Sequence, residues 1–161
     1  MIRDALPDDA AAIAAIYNHY IEHTVVTFEE ATIPPAEVQR RIDARQAMGL
    51  PGLVAAPDDE VAGYAYASRW KERSAYRNSV EVTVYLHKDA GGRGLGTRLY
   101  RALFERLRER GAHAAIGGIV LPNPASVALH EKMGMEKVAH FKEVGYKFGR
   151  WLDVGYWQRL L

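Results

Sequence analysis

The chain has 161 residues, 48% of them apolar, with 21 basic against 20 acidic side chains, six histidines and no cysteine. That length fits one domain over 1–161 with an ordinary core, and the even charge gives no support for nucleic acid or a membrane surface as the main partner. Without cysteine there is no disulfide, zinc–thiolate site or acyl-cysteine intermediate, and with no signal peptide at Met1-Ile2-Arg3-Asp4 and no apolar run near membrane length, a cytoplasmic protein is expected.

Ile2 to Ala5 reads as a short strand, and Pro7-Asp8-Asp9 as a helix start, with carboxylates where they suit a helix N-terminus. Ile13, Ile16, Tyr17, Tyr20 and Ile21 follow at helical spacing as a core stripe, leaving Asn18, His19 and His23 to solvent. Thr24 to Glu30 is a loop, in which Phe28-Glu29 either faces a ligand or packs on the surface. Pro34-Pro35 opens a second helix running to about Met48, and Gly49 ends it. Leu53 to Ala56 and Val61 to Trp70 form a hairpin around the turn Pro57-Asp58-Asp59-Glu60. A polar loop from Lys71 to Asn78 carries Lys71, Arg73 and Arg77.

The next stretch carries the most information. Val80, Val82, Val84 and Leu86 alternate with Glu81, Thr83 and Tyr85, a period of two that marks a strand with one face in the core. Gly91-Gly92-Arg93-Gly94-Leu95-Gly96-Thr97 is a glycine-rich turn. A helix then follows with Leu95, Leu99, Ala102, Leu103 and Leu107 on one face, and Gly111 stops it. A glycine turn between strand and helix suits a phosphate or pyrophosphate, because the free N–H groups of the first helical turn point at it. Spacing alone leaves a plain tight turn equally open. A Walker loop is excluded because no lysine precedes Thr97, and the dinucleotide fingerprint fails because its last position is that threonine.

Ala114 to Leu121 is an apolar strand. Asn123 is a good N-cap with Pro124 at the first helical position, and the helix Ala125 to Lys132 stops at Gly134. Met135 to Leu161 reads as two strands with a turn at Gly149-Arg150. The six histidines show no metal pattern; His130-Glu131 begins like a zinc-protease motif but ends on Gly134.

This succession, an α/β or α+β sheet with a glycine turn at a mid-sheet strand end, resembles the GNAT superfamily of N-acetyltransferases. The family's acetyl-CoA motif, Q/R-x-x-G-x-G/A after a strand, matches Gly91 to Gly96, with Gly91 in place of the leading Gln/Arg. Its second feature, N-x-x-S followed by an aromatic and a G-F pair, matches Asn123 to Met135, with His130 where many relatives have tyrosine and Met135 where they have phenylalanine. Further stretches are similar to the phosphinothricin and methionine sulfoximine/sulfone acetyltransferases: Ile16-Tyr17-Asn18, Trp70 to Tyr76, Val80 to Tyr85, Ala128 to Glu131 and Phe148 to Asp153.

The resemblance implies a mixed, mostly antiparallel sheet flanked by about four helices, acetyl-CoA as co-substrate, no metal, a small amino-acid acceptor and a homodimer. It also assigns roles. Glu81 is the base for the acceptor ammonium. Val84, Tyr85 and Leu86 meet the pantetheine arm, a backbone N–H near Tyr85 or Leu86 polarising the thioester. Gly92, Arg93, Gly94, Leu95, Gly96 and Thr97 hold the pyrophosphate. Asn123 bonds the pantetheine or caps its helix. His130 is either the acid for the departing thiolate or a packing residue. Lys71, Arg73 and Thr83 receive the acceptor, with Arg77 in reserve. Two other readings stand beside this one: a peptide or protein N-terminal acetyltransferase, and an acyl-CoA-binding module without catalysis.

Overall fold

A computed structural model describes residues 1–161. It contains strands β1 (Ile2–Asp4), β2 (Gly52–Ala55), β3 (Gly63–Arg69), β4 (Ser79–Leu86), β5 (Ala114–Leu121), β6 (Glu136–Lys147) and β7 (Arg150–Leu160). The helices are α1 (Ala10–His23), α2 (Pro35–Ala47), α3 (Leu95–Glu109) and α4 (Pro124–Lys132). The strands form one sheet in the order β1-β2-β3-β4-β5-β7-β6. Every neighbouring pair is antiparallel except β4 and β5. The mixed, mostly antiparallel sheet with four helices is the expected architecture.

The two faces of β4 carry different layers. Val80 and Val82 pack with Leu99, Leu103, Phe104 and Leu107 of α3. Tyr100, Phe104 and the three leucines are at most 1% exposed; burying each large apolar side chain contributes roughly 1.5–3 kcal/mol, so α3 is held along its whole length. The opposite face of the sheet carries Tyr64 of β3, in a cluster with Ile13, Ile16, Tyr17 and Ile21 of α1 and Val38 and Ile42 of α2. Glu81, Thr83 and Tyr85 lie on this second face, as the alternation requires.

Three local features depart from the sequence reading. Pro7–Asp9 forms a 3-10 turn of its own before α1. There Asp9 is buried, takes two hydrogen bonds from Arg3 at 2.7 and 2.8 Å, and accepts the Leu6 N–H. Asn18 is not a solvated side chain: its amide bonds both N–H and C=O of Ile33, tying α1 to the segment before α2. The returning strand of the first hairpin begins at Gly63 rather than Val61.

Candidate active site

β4 and β5 pair only from Ser79 to Glu81 against Ala114 to Ile116. Beyond that they part, β4 staying with β3 up to Leu86 and β5 with β7 up to Leu121. The cleft between them encloses about 510 Å³ and runs from the parting strands to the glycine turn.

Alternation fixes which backbone groups face this gap. The His87 N–H bonds the carbonyl of Ala62, the residue before β3. In the same antiparallel register, Tyr85, Thr83 and Glu81 therefore turn their N–H and C=O to β3, while Val82, Val84 and Leu86 turn theirs toward β5. On the other side, the Leu161 N–H bonds the His113 carbonyl, which puts Gly118 and Val120 toward β4. The parting strands thus present amide groups that have no strand partner on both walls. Buried amides need partners, and a ligand carrying amide groups of its own can supply them. Of the two N–H groups considered for the thioester, Tyr85's is committed to β3 and Leu86's faces the cleft.

Two tyrosines reach into the gap. The Tyr100 hydroxyl, fully buried, lies 3.1 Å from His130 Nε2 and 3.4 Å from the Val82 carbonyl. The Tyr20 hydroxyl, from α1, donates to the Leu86 carbonyl.

The glycine turn closes one end. Gly94, the N-cap of α3, has φ 71° and Gly92 has φ 78°. A Cβ at Gly91, Gly92 or Gly94 would meet nothing within 4 Å, so the first turn of α3 opens its orphan N–H groups onto free space. That suits an anion. Thr83, Val84, Tyr85, Leu86, Gly92, Gly94, Leu95, Gly96, Thr97, Asn123 and His130 all line the cleft, whereas exposed Arg93 does not. His87 and Lys88 do line it and bring polar side chains the motif match did not assign. No group of three or more His, Cys, Asp or Glu side chains stands where it could hold a metal ion.

Glu81 is half-buried at the vertex. A Cβ on Gly118, a cleft residue, would lie 3.6 Å from its Oε1. The carboxylate therefore stands beside the gap on the α1/α2 face of the sheet, and Glu81, like Lys71 and Arg73, is not among the residues that line the cleft. It has neither a salt-bridge partner within 4.0 Å nor a hydrogen bond from the protein. Burial raises its pKa above the ordinary carboxyl value, and the Lys71 charge partly offsets that. Of the three loop cations, Lys71 is the one whose charge acts on Glu81. Arg73 and Arg77 are exposed, and Arg77 donates to the Ser74 carbonyl in its own loop.

His130 is 4% exposed and its ring lies against Gly117, where a Cβ would come within 2.7 Å of it. Its Nδ1 is 2.7 Å from the Ser126 carbonyl, which only accepts, so Nδ1 carries the proton. Burial lowers the pKa, with the Ser126 hydrogen bond opposing. The neutral ring therefore has a bare Nε2 that accepts from Tyr100. In this geometry His130 has no proton to offer the cleft, which favours the packing reading over the acid reading. Asn123 caps α4, accepting the Ser126 N–H at 3.2 Å through Oδ1, and its amide nitrogen stays free for a ligand.

The loop between α1 and α2 is fastened from several sides. Glu29 bonds Arg41 at 2.6 and 2.9 Å and accepts the Tyr17 hydroxyl. Buried Lys147 donates to the Thr27 carbonyl at 2.9 Å. The Phe28 ring lies on Gly145, the position of a missing Cβ. Phe28-Glu29 is thus a packing element that ties α1 to the β6–β7 hairpin.

Three comparisons bear on this site. The family model described as acetyltransferase (GNAT) domain matches residues 2–155. Among curated proteins, the L-methionine sulfoximine/L-methionine sulfone acetyltransferase of Pseudomonas paraeruginosa is 40% identical over 98% of this chain and 92% of its own. Among solved structures, a phosphinothricin acetyltransferase from Sinorhizobium meliloti in complex with AcCoA superposes with a TM-score of 0.97 at 38% identity, covering 100% of this chain and 88% of that one. A ribosomal-protein-alanine N-acetyltransferase from Brucella melitensis gives 0.98 at the same 38% identity, covering 100% and 99%.

Proposed function

The chain belongs to the GNAT family of acetyl-CoA-dependent N-acetyltransferases, and we propose that it acetylates the α-amino group of a small amino acid such as methionine sulfoximine, methionine sulfone or phosphinothricin. What carries this reading is Glu81, a half-buried carboxylate without a protein partner beside the gap where β4 and β5 part. A strand glutamate serving only the fold would be solvated or paired.

The acceptor is mostly an ammonium at neutral pH, with a reference pKa of roughly 8. Ionised Glu81 takes one proton from it, directly or through a water, and the freed lone pair attacks the thioester carbon. The Val84 N–H, which faces the gap on the Glu81 side of Leu86, is a fixed dipole for the oxygen on which charge develops. As the carbon–sulfur bond breaks, the nitrogen loses its surplus proton and the thiolate gains one. We assign that transfer to water, because neutral His130 has no proton on its cleft-facing nitrogen. Leu86, nearer the glycine turn, offers its N–H to the pantetheine, Gly92 to Thr97 hold the pyrophosphate, and Thr83 and Lys71 border the acceptor. Arg73 receives the acceptor's carboxylate or polar head if its exposed side chain turns inward on binding.

CoA-thiol release, measured with acetyl-CoA and a panel of free amino acids and N-terminal peptides, tests the reading. Turnover is expected with at least one of the three named acceptors. The Brucella neighbour keeps a second reading in view, and turnover restricted to the peptides would replace the first reading with it.

We also infer a homodimer that uses the β6–β7 hairpin. β6 is a sheet edge, and Val138, Phe141, Val144, Tyr146, Phe148 and Trp151 stand out from the hairpin, from 50% exposed at Phe141 to 62% at Trp151. An edge strand with that much apolar surface invites a second copy. Trp151→Glu is expected to shift the protein from twice the chain mass to one chain mass in sedimentation equilibrium. A wild type that already sediments as one chain would rule the dimer out. A cytoplasmic setting fits an acetyl-CoA donor, and no helix is long and apolar enough to cross a membrane.

A further inference from the structure

We propose that Gly118 is a specificity-determining residue: the side chain it lacks leaves the space in which the acceptor's ammonium lies, touching Glu81 and reaching the gap between β4 and β5. The inference rests on the acetyltransferase reading and adds a residue that no sequence motif assigns.

Two glycines stand together in the middle of β5. A glycine weakens a strand interior and often marks a place where something else comes close. Gly117 is accounted for by packing. It is buried, and its missing Cβ would lie 2.7 Å from the His130 ring on the α3 side of the sheet. Gly118 has no such neighbour. It is exposed between buried Gly117 and Ile119. The atoms nearest its missing Cβ are Tyr156 Cε1 at 3.1 Å, Tyr156 Cδ1 at 3.6 Å and Glu81 Oε1 at 3.6 Å. The tyrosine ring and the carboxylate therefore border one space, and that space is open to solvent.

Gly118 also sits where the two halves of the reaction meet. Pairing between β4 and β5 ends at Ile116, and Gly118 is the next residue whose N–H and C=O turn toward β4. Its backbone thus lines the cleft, while its missing side chain belongs to the face that carries Glu81 and Tyr156. The acceptor nitrogen has to give a proton to the carboxylate on that face and a lone pair to a carbon in the gap. A side chain at position 118 would occupy the ground between them. Without one, a single nitrogen can touch Glu81 and still reach over the β5 backbone.

The border of the space selects the sign of the charge. Ionised Glu81 repels the acceptor's carboxylate or oxyanionic head and attracts its ammonium. An aromatic ring within about 6 Å adds to the attraction for a cation. Tyr156 is held in place edge-on by Trp70 and Phe141, with ring centroids 5.6 and 5.8 Å away. The amino group therefore enters first, and the carboxylate and head group stay outside, beside the loop that begins at Trp70 and Lys71. Gly118 forms no bond to the acceptor in the reaction; it contributes room.

The test uses Gly118→Ala, Gly118→Val and Gly117→Ala, with steady-state kinetics on methionine sulfone, or on whichever member of the acceptor panel turns over, and calorimetric Kd values for CoA. In Gly118→Ala, kcat/KM for the acceptor is expected to fall at least about tenfold, because a small displacement of a reacting atom is costly. Gly118→Val should lose more. In both, the CoA Kd should stay within about twofold of wild type, since the backbone that faces the gap is unchanged, and the melting temperature should hold, since alanine and valine suit a strand at least as well as glycine. Gly117→Ala should instead lower the melting temperature, because its Cβ runs into His130. An unchanged acceptor kcat/KM in both Gly118 variants overturns the proposal. So does a Gly118→Ala that loses melting temperature and CoA affinity along with activity, which marks a packing glycine. If the wild type acetylates N-terminal peptides and no free amino acid, the small-acceptor reading has failed, and the same comparison made with the peptide still decides the role of Gly118. A wild type that acetylates no amine removes both.

Discussion

Glu81→Gln is expected to lower kcat by about 10²- to 10⁴-fold, the range for a lost general base, and to raise the melting temperature slightly at pH 7. The two effects have one cause. The carboxylate is half-buried with no hydrogen bond to support its charge, and burial raises its pKa. A carboxyl whose folded pKa lies above its unfolded value binds its proton more tightly when folded. Below the unfolded pKa both states are protonated and the folded state has the advantage. As the pH climbs through the folded pKa, that advantage is lost and the ionised group weakens the fold. Glutamine keeps the shape and removes the charge, so it relieves the fold at neutral pH and leaves the acceptor ammonium without a base. The pH profile separates the base from a merely electrostatic group. In the wild type, kcat/KM for the acceptor should rise with pH through the raised carboxyl pKa and rise again as the free amine deprotonates. In Glu81→Gln the lower limb should vanish and the amine limb remain. A variant with kcat within threefold of wild type, or with the lower limb intact, would move the base elsewhere.

The parts of the site that rest on local chemistry were legible in the sequence. The alternation from Val80 to Leu86 put Glu81 and Thr83 on the face away from α3, and the fold keeps them there. Asn123 and Pro124 start α4 because a side-chain cap and a fixed proline φ act within four residues. What the sequence did not disclose arises between distant segments. The parting of β4 from β5 depends on strands joined by the glycine turn and α3, and no periodicity in either strand announces where pairing stops. Tyr20 and Tyr100 both fit a helical core pattern, and each brings a hydroxyl to the cleft only because its helix crosses the sheet at the gap. Lys147 was not recognisable as a buried cation for a similar reason. Its partner is a backbone carbonyl 120 residues away. Arg93, next to the motif glycines in sequence, is exposed and is not among the residues that line the cleft.

Gly94→Val should raise the Kd for acetyl-CoA at least about tenfold while the protein stays folded. Gly94 caps α3 at φ 71° and ψ 11°. A left-handed residue costs roughly 1–2 kcal/mol for an ordinary side chain, and a β-branched one fits there worst. The chain can relieve that strain only by rotating the peptide units that lead into α3. These are the units whose N–H groups converge on the pyrophosphate, so the strain falls on the anion site. The helix itself has little reason to unfold. Leu99, Tyr100, Leu103, Phe104 and Leu107 anchor it to the sheet well beyond the first turn. Gly91 provides the internal control. It lies in the same turn with nothing within 4 Å of its missing Cβ, but its φ is outside the left-handed region. Gly91→Ala should therefore leave the Kd within about twofold of wild type, since open space without strain makes alanine tolerable. Titration calorimetry with CoA, which carries the pyrophosphate but no thioester, isolates this end of the cleft from the chemistry beside Glu81. Equal losses in the two variants would mean that bulk in the turn matters rather than backbone conformation, and no loss in Gly94→Val would place the pyrophosphate away from the α3 N-terminus.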